Sequence, residues 1–166
     1  MGKMERLLST AALATGMIVA SAVDSAAQKR VVMETDADEV VTLWDNTTAK
    51  HSNYETNDEV FDGKRVKNTS SADLYIFKAP EDKATGYGIV LVPGGSYRNV
   101  SFSTAYAEWL RDNGVTAAIL KYRLPNYGHK EASYEDAAGA VKYLRENADR
   151  LNVDVRKIGI SGSSAG

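Results

Sequence analysis

The chain has 166 residues, 43% hydrophobic and 25% charged, the balance of a globular domain and not of a disordered or fibrous chain. A formal net charge of -2 and a pI near 5.7 provide no basic surface, so neither nucleic acid nor anionic lipid is expected as a partner. With no cysteine, disulfides, Cys-ligated zinc and a thiol nucleophile are excluded together.

Lys3 and Arg6 precede a mostly apolar run from Leu7 to Val23, and the small residues Ser25, Ala26 and Ala27 stand before Gln28. That order predicts a secretory signal peptide over residues 1–27, cleaved near Ala27. The competing reading is a membrane anchor, but Ser9, Thr10, Thr15 and Ser21 interrupt the run, which is short of the roughly 20 apolar residues a span needs. The mature protein is therefore expected outside the cytoplasm, secreted or periplasmic, with no stable membrane anchor. Residues 28–64 are polar and acidic, with a strand predicted over 40–44 and no assignable role. Trp44, His51 and Tyr54 offer side chains for a substrate cleft, but packing is the commoner use of such residues.

From residue 65 to residue 166 the pattern becomes regular. A β-rich run at 72–78 ends in Ala79-Pro80, and a continuous apolar run at 88–92 stops at Pro93-Gly94-Gly95. Such a run suits a strand covered on both faces. A helix is predicted over 104–112 with Tyr106, Trp109 and Leu110 on its apolar face and Gly114 as its stop. A buried strand follows at 115–120. A second helix is predicted over 134–151 on the stripe Ala137, Val141, Leu144, Ala148 and Leu151, with Ser133 and Asp136 as its capping box. Ile158 and Ile160 mark the last strand. Strands alternating with helices predict an α/β class with a mainly parallel, doubly wound sheet, in which ligands meet the carboxyl ends of the strands.

Two Gly-rich segments fall at such ends. Gly162-x-Ser164-x-Gly166 has the spacing of a nucleophile elbow, in which Ser164 occupies a strained turn and the flanking glycines make room for it. Taken alone, the same spacing also fits a Gly/Ser-rich loop. A serine hydroxyl needs a base to activate it and N–H donors aimed at the developing oxyanion. The Ala165 N–H and the segment Gly94, Gly95 and Ser96 are the candidates for those donors. No G-x-G-x-x-G follows a strand and no Gly-rich loop ends in Gly-Lys-Ser/Thr, which argues against nucleotide binding. The chemistry calls for no metal and no organic cofactor.

The run Val92-Pro93-Gly94-Gly95-Ser96-Tyr97, the run Leu120-Lys121-Tyr122-Arg123-Leu124-Pro125 and the run from Arg156 to Gly166 closely resemble secreted α/β-hydrolase esterases of the hormone-sensitive-lipase-like and acetylxylan-esterase-like group. The resemblance covers about residues 66–166. It implies an α/β-hydrolase fold, a serine ester hydrolase working through an acyl-enzyme, and a small ester or acylated carbohydrate such as acetylated xylan as substrate. Relatives usually carry a third glycine where this chain has Ser96, and His-Pro where His129 is followed by Lys130. Tyr97, Tyr122, Arg123 and His129 are expected beside the site, Arg123 with Asp136 in a structural pair.

In this fold the triad order is Ser, then Asp or Glu, then His, and His51 and His129 both precede Ser164. The chain is accordingly expected to be the amino-terminal half of the sheet, cut just after the elbow, inactive and aggregation-prone by itself. The alternatives are a serine peptidase of the same fold and a noncatalytic carbohydrate-binding module.

Overall fold

The computed structural model describes residues 28–166, and the predicted signal peptide lies outside the described residues. The elements in chain order are β1 (Glu39–Asp45), β2 (Val60–Phe61), β3 (Arg65–Lys67), β4 (Ser71–Phe77), β5 (Gly86–Val92), β6 (Val100–Ser101), α1 (Ala105–Asp112), β7 (Thr116–Lys121), α2 (Lys130–Glu146) and β8 (Val153–Gly162). Five of them build the main sheet in the order β1-β4-β7-β5-β8. β4 runs antiparallel to β1 and β7, while β7, β5 and β8 run parallel. The short strands β2, β3 and β6 form a small antiparallel sheet.

Every residue of β4 is buried, because its alternating side chains enter two different cores. Leu74 and Ile76 meet Ala118 and Leu120 of β7 and Ala140 and Leu144 of α2. Tyr75 and Phe77 meet Ala117 and Ile119 of β7 and Ala107 and Leu110 of α1. A helix on each face explains why the strands read as unbroken apolar runs. Each fully buried Leu or Ile contributes roughly 1.5–3 kcal/mol.

Three local expectations are corrected. On α1 the buried residues are Ala107 and Leu110, while Tyr106 and Trp109 are 55% and 57% exposed and stack on each other at 5.9 Å. Both pairs are three residues apart, so periodicity favours the bulkier stripe, but the helix seats its smaller one on the sheet. α2 starts at Lys130, ahead of the predicted 134, ends at Glu146, and is followed by a 3₁₀ turn at Asp149–Leu151. Ser133 and Asp136 therefore lie inside the helix and do not cap it. Ser133 Oγ donates to the Arg123 carbonyl at 2.7 Å, and Asp136 accepts from the Arg123 guanidinium at 2.7 Å, a stronger charge-assisted partner than a helix N-terminus.

Residues 28–64 supply β1, the outer strand beside β4. Trp44 of β1 lies against Gly139 of α2 so closely that a Cβ there would collide with the indole, and its Nε1–H donates to Asp136 at 2.5 Å. Glu59 reaches the sheet as well. Its carboxylate meets the buried Lys121 Nζ at 2.5 Å, and Asp73 meets the same ammonium at 2.7 Å. β8 forms the opposite edge among the described residues, with Ile160 half exposed.

Candidate active site

β5 and β8 pair in parallel register up to Val92 and Gly162, so the loops leaving their carboxyl ends begin side by side. The Ser163 N–H donates to the Val92 carbonyl at 3.1 Å, and the Gly166 N–H closes the turn on the Ser163 carbonyl at 2.9 Å. Ser164 at the tip has φ 54°, the left-handed region, which costs a non-glycine residue roughly 1–3 kcal/mol. A Cβ on Gly162 would strike the Gly166 carbonyl, and one on Gly166 would strike the Val92 carbonyl. Close approach is thus what demands these two glycines. Ser164 itself is exposed.

The loop after β5 lies against this turn. A Cβ on Gly94 would sit 2.6 Å from the Ser163 carbonyl oxygen and 2.9 Å from Ser164 Cβ. The Gly94 N–H is directed at Ser163 Oγ at 3.3 Å. Among the described residues, no protein group accepts the N–H of Gly95, Ser96 or Ala165. Ser96 and Tyr97 have φ 55° and 58°, and the loop is pinned by Arg98 and Asn99 N–H groups donating to the Gly95 carbonyl at 3.0 and 3.2 Å. The Ser101 N–H returns to the Gly94 carbonyl at 2.8 Å. Gly94, Gly95, Ser96, Ser163 and Ser164 thereby share one cleft of about 530 Å³.

Ala165, Tyr97 and Tyr122 line a neighbouring hollow of about 260 Å³. The Tyr122 hydroxyl donates to the Pro93 carbonyl at 3.0 Å, tying the end of β7 to the base of the glycine loop. Burial pushes its phenol up to about 12, so it remains a donor. Arg123 is fully buried one step further from the cleft. It pairs with Asp136 and with Glu135 at 3.2 Å, and also reaches Asn46 and the carbonyls of His51 and Ala132. Burial alone would raise the Glu135 carboxyl, but the N–H groups of His51 and Lys50 and the Arg123 charge outweigh it and hold it below the usual carboxylate range. Arg123 thus positions the loop after β7.

His129 stacks on Tyr54 with centroids 4.5 Å apart, and His51 offers its carbonyl to Arg123. Neither histidine lines the Ser164 cleft. Residues given no role by the sequence pattern also line it, Arg65 from β3 and Arg98 from the glycine loop among them. The basic residue two places beyond Ser96 was a visible cue for the second; nothing local marks the first.

A family model described as BD-FAE matches residues 73–166. The chain is 31% identical over 88 residues to an acetylxylan esterase of Xylanibacter ruminicola, an alignment covering 51% of this chain and 18% of that protein. The structure is similar to an acetyl ester-xyloside bifunctional hydrolase from Caldicellulosiruptor lactoaceticus, with TM-score 0.57 and 26% identity over 85% of this chain and 45% of that one. Esterase 2 of Thermogutta terrifontis shares the fold with TM-score 0.56 and 24% identity, over 80% of this chain and 44% of that one. The chain thus spans less than half the length of each.

Proposed function

The chain belongs to the BD-FAE family and has an esterase-like α/β-hydrolase fold, and from that premise we propose that it is the nucleophile-bearing part of a serine carboxylic-ester hydrolase. The observation that carries the reading is the placement of Ser164, at positive φ, in one cleft with the loop whose Gly95 and Ser96 N–H groups have no protein acceptor among the described residues. In the proposed reaction Ser164 Oγ attacks the ester carbonyl carbon and passes its proton to a base. The carbonyl oxygen becomes an oxyanion held by the N–H groups of Gly95, Ser96 and Ala165. The C–O bond to the alcohol breaks, the alcohol leaves with the proton, and water then releases the acid from the acyl-enzyme.

Gly94 acts in this scheme as the spacer that lets the two loops meet. Neither His51 nor His129 lines the cleft, and the Ser, acid, His order of the fold has the base and its orienting acid follow Ser164 along the polypeptide. The acetylxylan esterase relative and the acetyl ester-xyloside hydrolase neighbour favour an acetylated carbohydrate as substrate. The predicted signal peptide favours action outside the cytoplasm.

The test uses the full-length protein that carries this chain. A fluorophosphonate probe should label it, acetate should be released from p-nitrophenyl acetate and acetylated xylan, and Ser164→Ala should abolish both. Residues 28–166 alone should turn over at a rate lower by several orders of magnitude, since a triad serine without its base keeps little activity. A folded full-length protein that neither labels nor hydrolyses would refute the reading in favour of a binding module. Labelling that survives in Ser164→Ala would place the nucleophile elsewhere.

A further inference from the structure

The cleft beside Ser164 has a charge pattern that acyl transfer to water does not require. Arg65 and Arg98 both line it together with Gly94, Gly95 and Ser164, and none of its lining residues is acidic. Among the described residues neither guanidinium enters an ion pair. The nearby Asp62 carboxylate accepts the backbone N–H groups of Lys64 and Arg65 at 3.0 and 2.9 Å. These bonds, with the charges of Lys67 and Arg65, hold it below the usual range. Both N–H groups reach Oδ1 at the turn before β3, and no ion pair forms between the Asp62 carboxylate and the Arg65 guanidinium.

Both arginines are delivered by defined backbone. Arg65 sits on β3 directly opposite Ser101 of β6, and the Phe102 N–H donates to the Lys64 carbonyl at 2.8 Å. Arg98 follows two consecutive left-handed residues, Ser96 and Tyr97, and its N–H is bonded to the Gly95 carbonyl. The loop that offers the oxyanion donors therefore also carries one cation into the cleft, and the small sheet brings the second. Two exposed guanidinium forks lining one cleft suit a carboxylate, which a guanidinium can grip in two-point fashion.

Resting on the hydrolase reading above, we propose that Arg65 and Arg98 form a carboxylate-binding subsite that selects esters carrying a carboxylate beside the reacting group. A uronate-bearing acylated carbohydrate belongs to this class. The carboxylate can stand on the acyl or on the alcohol side of the ester, and matched substrate pairs separate the two.

On the full-length protein, kcat/KM is compared for 4-acetoxybenzoate against its methyl ester, which places the charge on the alcohol. The same comparison for 4-nitrophenyl hydrogen adipate against its methyl ester places it on the acyl group. In one of the pairs the anionic-to-neutral ratio should fall about tenfold in Arg98→Gln and in Arg65→Gln, and recover in part in Arg98→Lys, as expected for loss of a charge-assisted contact. Ratios unmoved by both glutamine variants in both pairs would overturn the subsite. Binding without turnover supplies the independent readout: calorimetric titration of Ser164→Ala with 4-hydroxybenzoate and with adipate. Affinity that disappears when Arg65 and Arg98 become glutamine supports the subsite even in a protein that hydrolyses nothing, an outcome that would refute only the hydrolase. Equal affinity with and without the arginines would refute the subsite even in an active enzyme.

Discussion

Replacing Arg123 by methionine removes a buried cation while keeping most of the side chain's length. Asp136 would lose the guanidinium, which donates to it from Nε at 3.0 Å and from Nη2 at 2.7 Å. It would keep only the Arg123 backbone N–H at 2.7 Å and the Trp44 indole N–H at 2.5 Å. The side chains of both members of the pair have no exposed surface, so water cannot take over the lost contacts. Breaking a buried pair from one side costs about 3–5 kcal/mol, a fifth or more of the roughly 5–15 kcal/mol that holds an ordinary domain together. Asp136→Leu should cost less, because Arg123 keeps Glu135 at 3.2 Å and the carbonyls of His51 and Ala132. The double variant Arg123→Met/Asp136→Leu should cost less than the sum of the two by at least about 1.5 kcal/mol, since neither charge of the fully buried pair is left behind and Glu135, which loses the same cation, is partly exposed. Urea unfolding of the full-length protein, followed by circular dichroism, reads this directly. A single-variant loss below about 1 kcal/mol, or additivity within about 0.5 kcal/mol, would refute the view that this pair holds β1, the loop after β7 and α2 together.

Glu135 sets an acid limit. Its folded carboxyl lies below the ordinary 4.5, so its contribution is present above that value and is lost as pH falls through the depressed one. Glu135→Gln should therefore narrow the drop in unfolding midpoint between about pH 6 and about pH 3, and an unchanged drop would count against the Lys50, His51 and Arg123 contacts. At the alkaline end, burial pushes Tyr75 and Tyr122 up to about 12. Their contribution is complete below the ordinary 10.0 and is lost as pH rises toward the folded values. Tyr122→Phe should remove one phenolate from the last phase of an absorbance titration; removal from an earlier phase would refute its burial against Pro93.

Much of the scaffold was legible along the chain. Residues 88–92 and 115–120 read as buried strands because a strand covered on both faces admits almost only apolar side chains, and β5 and β7 lie there. The tight turn around Ser164 was legible because Gly162 answers to Gly166 within five residues of sequence; the close approach of Gly166 to Val92 belongs to the tertiary structure. The α1 face misled, since Ala107 and Leu110 share the spacing of Tyr106 and Trp109 and only the sheet surface chooses between them. Asp136 fitted a capping spacing in sequence and met Arg123 in space, where a desolvated guanidinium outcompetes a helix end.

The sequence by itself thus determined the main strands and the tight glycine turn around Ser164, because these follow from periodicity or from a backbone constraint spanning a few residues. Only the tertiary structure decided what surrounds them. β3 and β6 are three and two residues long, too short for any alternation, and they pair across 36 positions at Arg65 and Ser101. Lys121 and Glu59 meet across 62 positions. Long-range pairing and charge burial gain their energy from desolvation between segments distant in sequence, and that term leaves no local pattern to read.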